Sequence, residues 1–231
     1  MKLSKIDGAV ALIMALDRAI RNENKCSVLI NRRVITVHGG HEICVLTPIE
    51  VDPNIAAGHD NKGFHIIWGN GTGFNFLTES FLLAAELKKD ELLYIPTRFL
   101  ENNIFTEIFQ NYSCKYSLIC TNYCELKISP KDIDKLLKVK VYSEQIINRW
   151  ATIEPNYIDR WETKNRLTIK IHKKNMYIST NRDGFCSLAA GTKEMAENGD
   201  EQYDYLCHRH YDSEENTSAS VGVTLYHWPN R

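Results

Sequence analysis

No stretch of about eighteen consecutive apolar residues occurs in the chain, so no segment reads as a membrane-spanning helix. Neither sign of charge is in surplus. Lys and Arg number 28 against 29 Asp and Glu, a formal net charge of −1, so the total by itself points to neither nucleic acid nor an anionic membrane. The seven cysteines form no CxxC pair and keep no regular spacing, which excludes the disulfide framework of a small secreted scaffold. They read instead as reduced thiols, and the expected location is cytoplasmic. The HExxH pattern of a zinc hydrolase is missing as well. Internal repeats and low-complexity linkers are absent. The apolar run Ala9–Leu16 lacks a small-residue cleavage site, so no cleaved leader is expected.

What is present is the composition of an ordinary globular chain. Of 231 residues, 43% are apolar and 25% charged, enough to bury a core without metal or disulfide staples. A single domain over 1–231 is expected, with a weak boundary near 152–165. Apolar residues at helical spacing predict a helix over 5–22, with Ser4 as its cap and Asp7 completing a capping box. Cys26–Ile30 and Arg33–His38 read as a hairpin turned at Asn31-Arg32, followed by a strand at Glu42–Thr47. Residues 52–63 read as loop. Phe64–Trp68 is a short apolar run that predicts a buried strand, and a helix is expected over Phe74–Lys89. Strands are expected near Leu92–Ile95 and at Tyr116–Thr121, and helices over 98–110, after Ser129-Pro130, and over 143–151. Arg166–His172 and Asn175–Thr180 form a second hairpin by strict alternation, and Ser220–His227 a last strand. The implied fold class is α+β: a mixed, largely antiparallel sheet with two hairpins and helices packed on it.

Charge is distributed less evenly than its total suggests. Lys164 to Arg182 holds six basic residues and no acidic one, whereas Glu194 to Glu215 holds eight acidic residues and one Arg. A basic hairpin at 164–182 suits a nucleic-acid partner, its lysines contacting phosphates and Tyr177 stacking on a base, but lysines on a strand also guard a sheet edge. The acidic stretch 194–216 suits a basic protein partner, or is a solvated loop.

Two local patterns carry possible chemistry. Gly69-Asn70-Gly71-Thr72-Gly73 lies between an expected strand and an expected helix, where glycines let a ligand approach and helix N–H groups attract anions. It resembles the glycine loop of S-adenosylmethionine-dependent methyltransferases, and Thr121-Asn122-Tyr123 resembles the catalytic tetrapeptide of the amino-methylating members. That resemblance implies a nucleotide-like cofactor at Gly69, Asn70, Gly71, Thr72 and Gly73; the alternative is a plain tight turn. Separately, Asp183-Gly184-Phe185-Cys186-Ser187-Leu188-Ala189-Ala190 resembles the nucleophile motif of ovarian-tumour-type cysteine proteases, and His210-Tyr211-Asp212-Ser213 their histidine motif. The catalytic set of that reading is Cys186, His210 and Asp183, with the thiolate favoured by a helix N-terminus. The alternative is a buried structural cysteine. Cys207, His208, His210, His38 and His41 have donor chemistry for a metal, but their spacing assigns them to no site.

Because neither catalytic set is complete, the leading functional expectation is a non-catalytic subunit that binds another macromolecule, a protein first, through its opposed basic and acidic surfaces. The alternatives are a cysteine hydrolase and an enzyme holding a cofactor such as S-adenosylmethionine.

Overall fold

The computed structural model describes residues 27–37, 40–59, 64–97, 116–140, 143–157, 167–198, 208–211 and 223–227. The helices expected over 5–22 and 98–110 lie outside the described residues. Eleven strands and three helices are formed among the residues described. The strands are β1 (Ser27–Thr36), β2 (Glu42–Pro48), β3 (Ile55–His59), β4 (His65–Gly69), β5 (Glu91–Ile95), β6 (Ser117–Asn122), β7 (Ser143–Trp150), β8 (Thr168–His172), β9 (Asn175–Thr180), β10 (His208–Tyr211) and β11 (Val223–His227). The helices are α1 (Gly71–Ala85), α2 (Pro130–Leu136) and α3 (Arg182–Asn198).

The fold is α+β. Seven strands form a mixed, largely antiparallel sheet in the order β7-β1-β2-β5-β6-β9-β8, with parallel pairing only at β2–β5 and β6–β9. A second sheet has the order β10-β11-β4-β3. Helices α1 and α3 pack against one another and reach both sheets: their buried Phe74, Leu77, Phe81, Phe185 and Leu188 share one core with Leu46, Leu118 and Ile178 of the large sheet and Ile55, Ile67 and Leu225 of the small one. Phe81 and Phe185 stack with ring centroids 6.3 Å apart. A buried hydrogen bond joins Thr78 Oγ1 and Thr192 Oγ1 at 2.9 Å. On the opposite face of the large sheet, α2 and Leu126 cover Ile35, Ile43, Val45, Leu92, Ile119 and Tyr177.

Three expectations from the sequence are corrected. The first concerns the hairpin at 26–38: residues 27–36 run as one strand, flanked by β2 and β7. Asn31 and Arg32 stand mid-strand, where ladder bonds to both neighbours outweigh their taste for turns. The chain reverses instead between Val37 and His41, where Gly40 takes φ +78° and its N–H donates to the Val37 carbonyl. The second concerns the helix over 143–151: this segment is strand β7, paired antiparallel with β1 from Ser27↔Trp150 to Val34↔Ser143. Its β-branched Ile146 and Ile147 are at home in a strand, and pairing with β1 decides the matter. The stretch from Ile55 to His59, expected as loop, is a buried strand.

The end of β7 is clamped to α1. Arg149 Nη2 donates to the Glu86 carbonyl at the α1 C-terminus (2.6 Å), and its Nη1 donates to Glu91 Oε2 at 2.6 Å. The Thr152 N–H donates to Glu86 Oε1 at 2.6 Å. Arg149 thus satisfies a helix-end carbonyl and a nearly buried carboxylate at once. Replacing it strands Glu91. Arg149→Ala is expected to cost about 2–4 kcal/mol in urea unfolding. Adding Glu91→Gln should recover part of that loss, and additive effects of the two changes would refute the coupling.

Candidate functional site

The glycine loop is filled by its own chain. Asn70 caps α1, its Oδ1 accepting the Gly73 N–H at 2.9 Å and the Thr72 hydroxyl at 3.0 Å. Asn54 Nδ2 donates to Thr72 Oγ1 at 3.2 Å, and the Asn54 backbone lies so close over Gly73 that a Cβ there would overlap its carbonyl oxygen. Gly69 makes room for the Phe74 ring, whereas a Cβ on Gly71 would meet only the Ala196 carbonyl at an ordinary 3.6 Å. Gly69 and Gly73 therefore serve close packing, and the Gly73 N–H is already engaged by the Asn70 side chain. The strand before the loop, β4, and the strand leading to Thr121-Asn122-Tyr123, β6, belong to different sheets. They do not form the adjacent parallel pair on which an open α/β cofactor site rests. The Asn122 side chain is buried and accepts the Cys124 N–H at 3.1 Å, closing a local turn.

Cys186 lies in the second turn of α3. Asn181 caps that helix through the Gly184 N–H (2.9 Å), and its carbonyl accepts the Phe185 N–H. Burial pushes the Cys186 thiol above its ordinary range; Arg182 pulls the other way, while Asp183 and Glu86 add to the rise. The thiol is therefore protonated at neutral pH, the opposite of what a nucleophile at a helix N-terminus needs. Asp183 is exposed in the first turn. His210 belongs to β10 of the small sheet, opposite Thr224 of β11. The thiols of Cys44, Cys120, Cys124 and Cys186 are all free.

Of the possible metal donors, His41 is exposed, His208 and His210 are in β10, and His38 and Cys207 fall outside the described residues. Among the described residues no group of three or more His, Cys, Asp or Glu side chains is placed to hold a metal ion. No helix of those residues is long and apolar enough to cross a membrane.

The basic hairpin forms as expected, β8 against β9, with Lys173 at φ +54° in the turn. Its charges are partly used internally. Lys173 Nζ lies 2.9 Å and His172 Nε2 3.3 Å from Asp134 Oδ2, while Asn175 Nδ2 donates to Asp134 Oδ1 at 3.0 Å and the Tyr177 hydroxyl donates to the same oxygen. Tyr177 is buried under α2, not presented for stacking. Of the acidic stretch, 194–198 finish α3, 208–211 are β10, and the remainder lies outside the described residues.

The two edges of the large sheet differ. Strand β8 carries an exposed Lys170, with Lys173 and Lys174 at its tip. Strand β7 has no Lys or Pro, and both its charges are drawn back onto the sheet: Arg149 to Glu91, Glu144 to the Asn31 amide. Register places Leu29, Ile146 and Trp150 on the face that carries α2, but beyond the reach of that helix. Their relative exposures are 51%, 66% and 43%, and Ile49 beside them is 42% exposed. Among the described residues, an unguarded strand edge thus adjoins an uncovered apolar stripe, a combination that proteins ordinarily avoid. The sequence does not reveal this feature, because the pattern over 143–151 suits a helix as well as a strand.

Comparison of the chain with protein-family models, curated proteins and solved structures finds no match.

Two predictions follow from this geometry. Gly73→Ala should destabilise the protein by about 3 kcal/mol or more, because backbone would have to move, whereas Gly71→Ala should stay within about 1 kcal/mol; equal effects in thermal melts would refute the packing role. Burial raises the Asp134 pKa, but hydrogen bonds from Tyr177, Lys173 and Asn175 outweigh it, so the net pKa is lowered. The stabilisation this adds is complete above the unfolded value of about 4 and is lost as pH falls through the lower folded value. Stability should therefore drop below about pH 4, and Asp134→Asn should flatten that part of the curve; an unchanged acid limb would contradict the assignment.

Proposed function

We propose that the protein is a non-catalytic interaction subunit that receives an extended segment of a partner protein along β7. One observation carries this reading: among the described residues β7 is an eight-residue edge strand with no lysine or proline of its own, and Leu29, Ile146 and Trp150 are exposed on it and beside it. A partner strand added there would pair with the outward N–H and C=O groups of the edge, and alternate side chains of that strand would cover the stripe. Absence of an activated nucleophile at Cys186 and the self-filled glycine loop both favour binding over catalysis. The proposal retains the protein partner expected from the sequence and moves its principal contact from the charged segments to the sheet edge.

Ile146→Lys tests the proposal directly. Its side chain is exposed, so folding stability should change by no more than about 0.5 kcal/mol. In pull-downs from the native host, a partner recovered with the wild-type chain should be lost with the variant. In the purified complex, the outward amides of β7 should gain protection from hydrogen exchange. A partner retained by Ile146→Lys, with β7 amides exchanging as in the free protein, would overturn the proposal.

A further inference from the structure

The side of the large sheet that carries α2 gathers lysines from two separate chain segments. Residues 125–140 and 168–174 together hold eight lysines against three acidic residues. Asp134 joins the segments: Lys173 Nζ lies 2.9 Å and His172 Nε2 3.3 Å from its Oδ2, which pins the turn of the β8–β9 hairpin to α2. Lys131 and Lys135 stand four residues apart on α2, away from its buried Ile133 and Leu136, and Lys138 follows in the turn where its N–H donates to the Lys135 carbonyl. Lys170 is opposite Tyr177 in the β8–β9 ladder, and Tyr177 belongs to the core under α2, so Lys170 projects from the same side of the sheet. Lys135 pairs with Asp132 at 3.0 Å. Lys127, Lys131, Lys138, Lys140 and Lys170 are exposed and form no ion pair with a described residue.

From this placement we infer that α2 and the hairpin form a surface for the phosphate backbone of a nucleic-acid duplex. Lysine is a compact charge that meets phosphates in many geometries and reads no sequence. The Asp134 contacts hold the two lysine-bearing segments in a fixed relation, so binding does not have to order them first. Stacking decides for a duplex over a single strand. Proteins that hold single strands stack bases on aromatic rings, and Tyr177, the only Phe, Tyr or Trp of α2, β8 and β9, is buried. An anionic membrane suits the surface less, because membrane-seated faces pair their lysines with Trp, Phe or Leu. Here, among the described residues, the exposed large apolar side chain is Val139. Strands β7 and β8 are opposite edges of the large sheet, so this surface is separate from the edge proposed to receive a partner strand and does not depend on it.

The probes are fluorescein-labelled twenty-base-pair DNA and RNA duplexes, each in two unrelated sequences, titrated with the full chain and followed by fluorescence anisotropy. At least one kind of duplex should bind with a Kd of about 100 µM or tighter at about 50 mM salt, equally for both sequences, and log affinity should fall against log salt with a slope of about −3 to −5. The DNA and RNA arms identify which backbone is preferred. Lys131→Gln, Lys138→Gln and Lys170→Gln together should weaken binding about tenfold or more and reduce that slope by about 2–3. All three side chains are exposed, so the melting temperature should stay where it is. The control changes the same number of exposed lysines outside this surface, Lys88→Gln, Lys89→Gln and Lys193→Gln, and should leave affinity within about twofold. Failure of both duplexes to bind, an equal loss in the control variant, or affinity unmoved by the α2 and hairpin variant would each overturn the inference. Binding to phosphatidylserine vesicles without binding to either duplex would overturn it in favour of a membrane.

Discussion

The structure hangs on the burial of α1 along most of its circumference. Ten of its fifteen residues are buried, from Gly73 to Ala85, so that helix has almost no face left for water. It packs against α3 through Phe81 on Phe185 and through the Thr78–Thr192 hydroxyl pair, and the two helices together form the floor for both sheets. Hydroxyls at that seam are tolerable only because each is also bonded to a helical carbonyl, Phe74 for Thr78 and Leu188 for Thr192. Removing α1 would uncover apolar surface on both sheets and on α3.

Around this core, groups that look chemical in the sequence are occupied in holding elements together. Glycines at 73 and 184 permit close approach of Asn54 and Thr180. The Arg149–Glu91 pair ties β7 to the end of α1 and the start of β5. Asp134 gathers Lys173, Asn175 and Tyr177 so that α2 is locked onto the basic hairpin. Buried thiols at 120 and 186 are pushed toward the neutral form by desolvation. Among the described residues, what this packing leaves exposed is the edge strand β7 and the apolar stripe of Leu29, Ile146 and Trp150.

Local pattern read several elements well. Strict alternation over 166–172 announced β8, Ser129-Pro130 announced α2, and the apolar runs at 64–68 and 116–121 announced β4 and β6. For α3 the nucleophile-like motif implies only a helix start near Cys186; the length of the helix follows from its buried Phe185, Leu188, Ala189, Thr192 and Met195, which repeat at helical spacing. Gly40, with its positive φ, marks the reversal that Asn31-Arg32 does not make. β7 was not legible, since two isoleucines among polar residues fit either periodicity.

Composition and periodicity alone determined that the chain is an α+β globular body with a largely antiparallel sheet, because hydrophobic spacing is a local property that survives any arrangement of the parts. Tertiary structure alone decided that β4 and β6 belong to different sheets, that Arg149 turns inward, and that α2 stops short of Leu29 and Ile146. Those facts depend on which elements meet across long sequence separations. An edge strand is defined by the neighbour it lacks, and no local pattern records a missing neighbour.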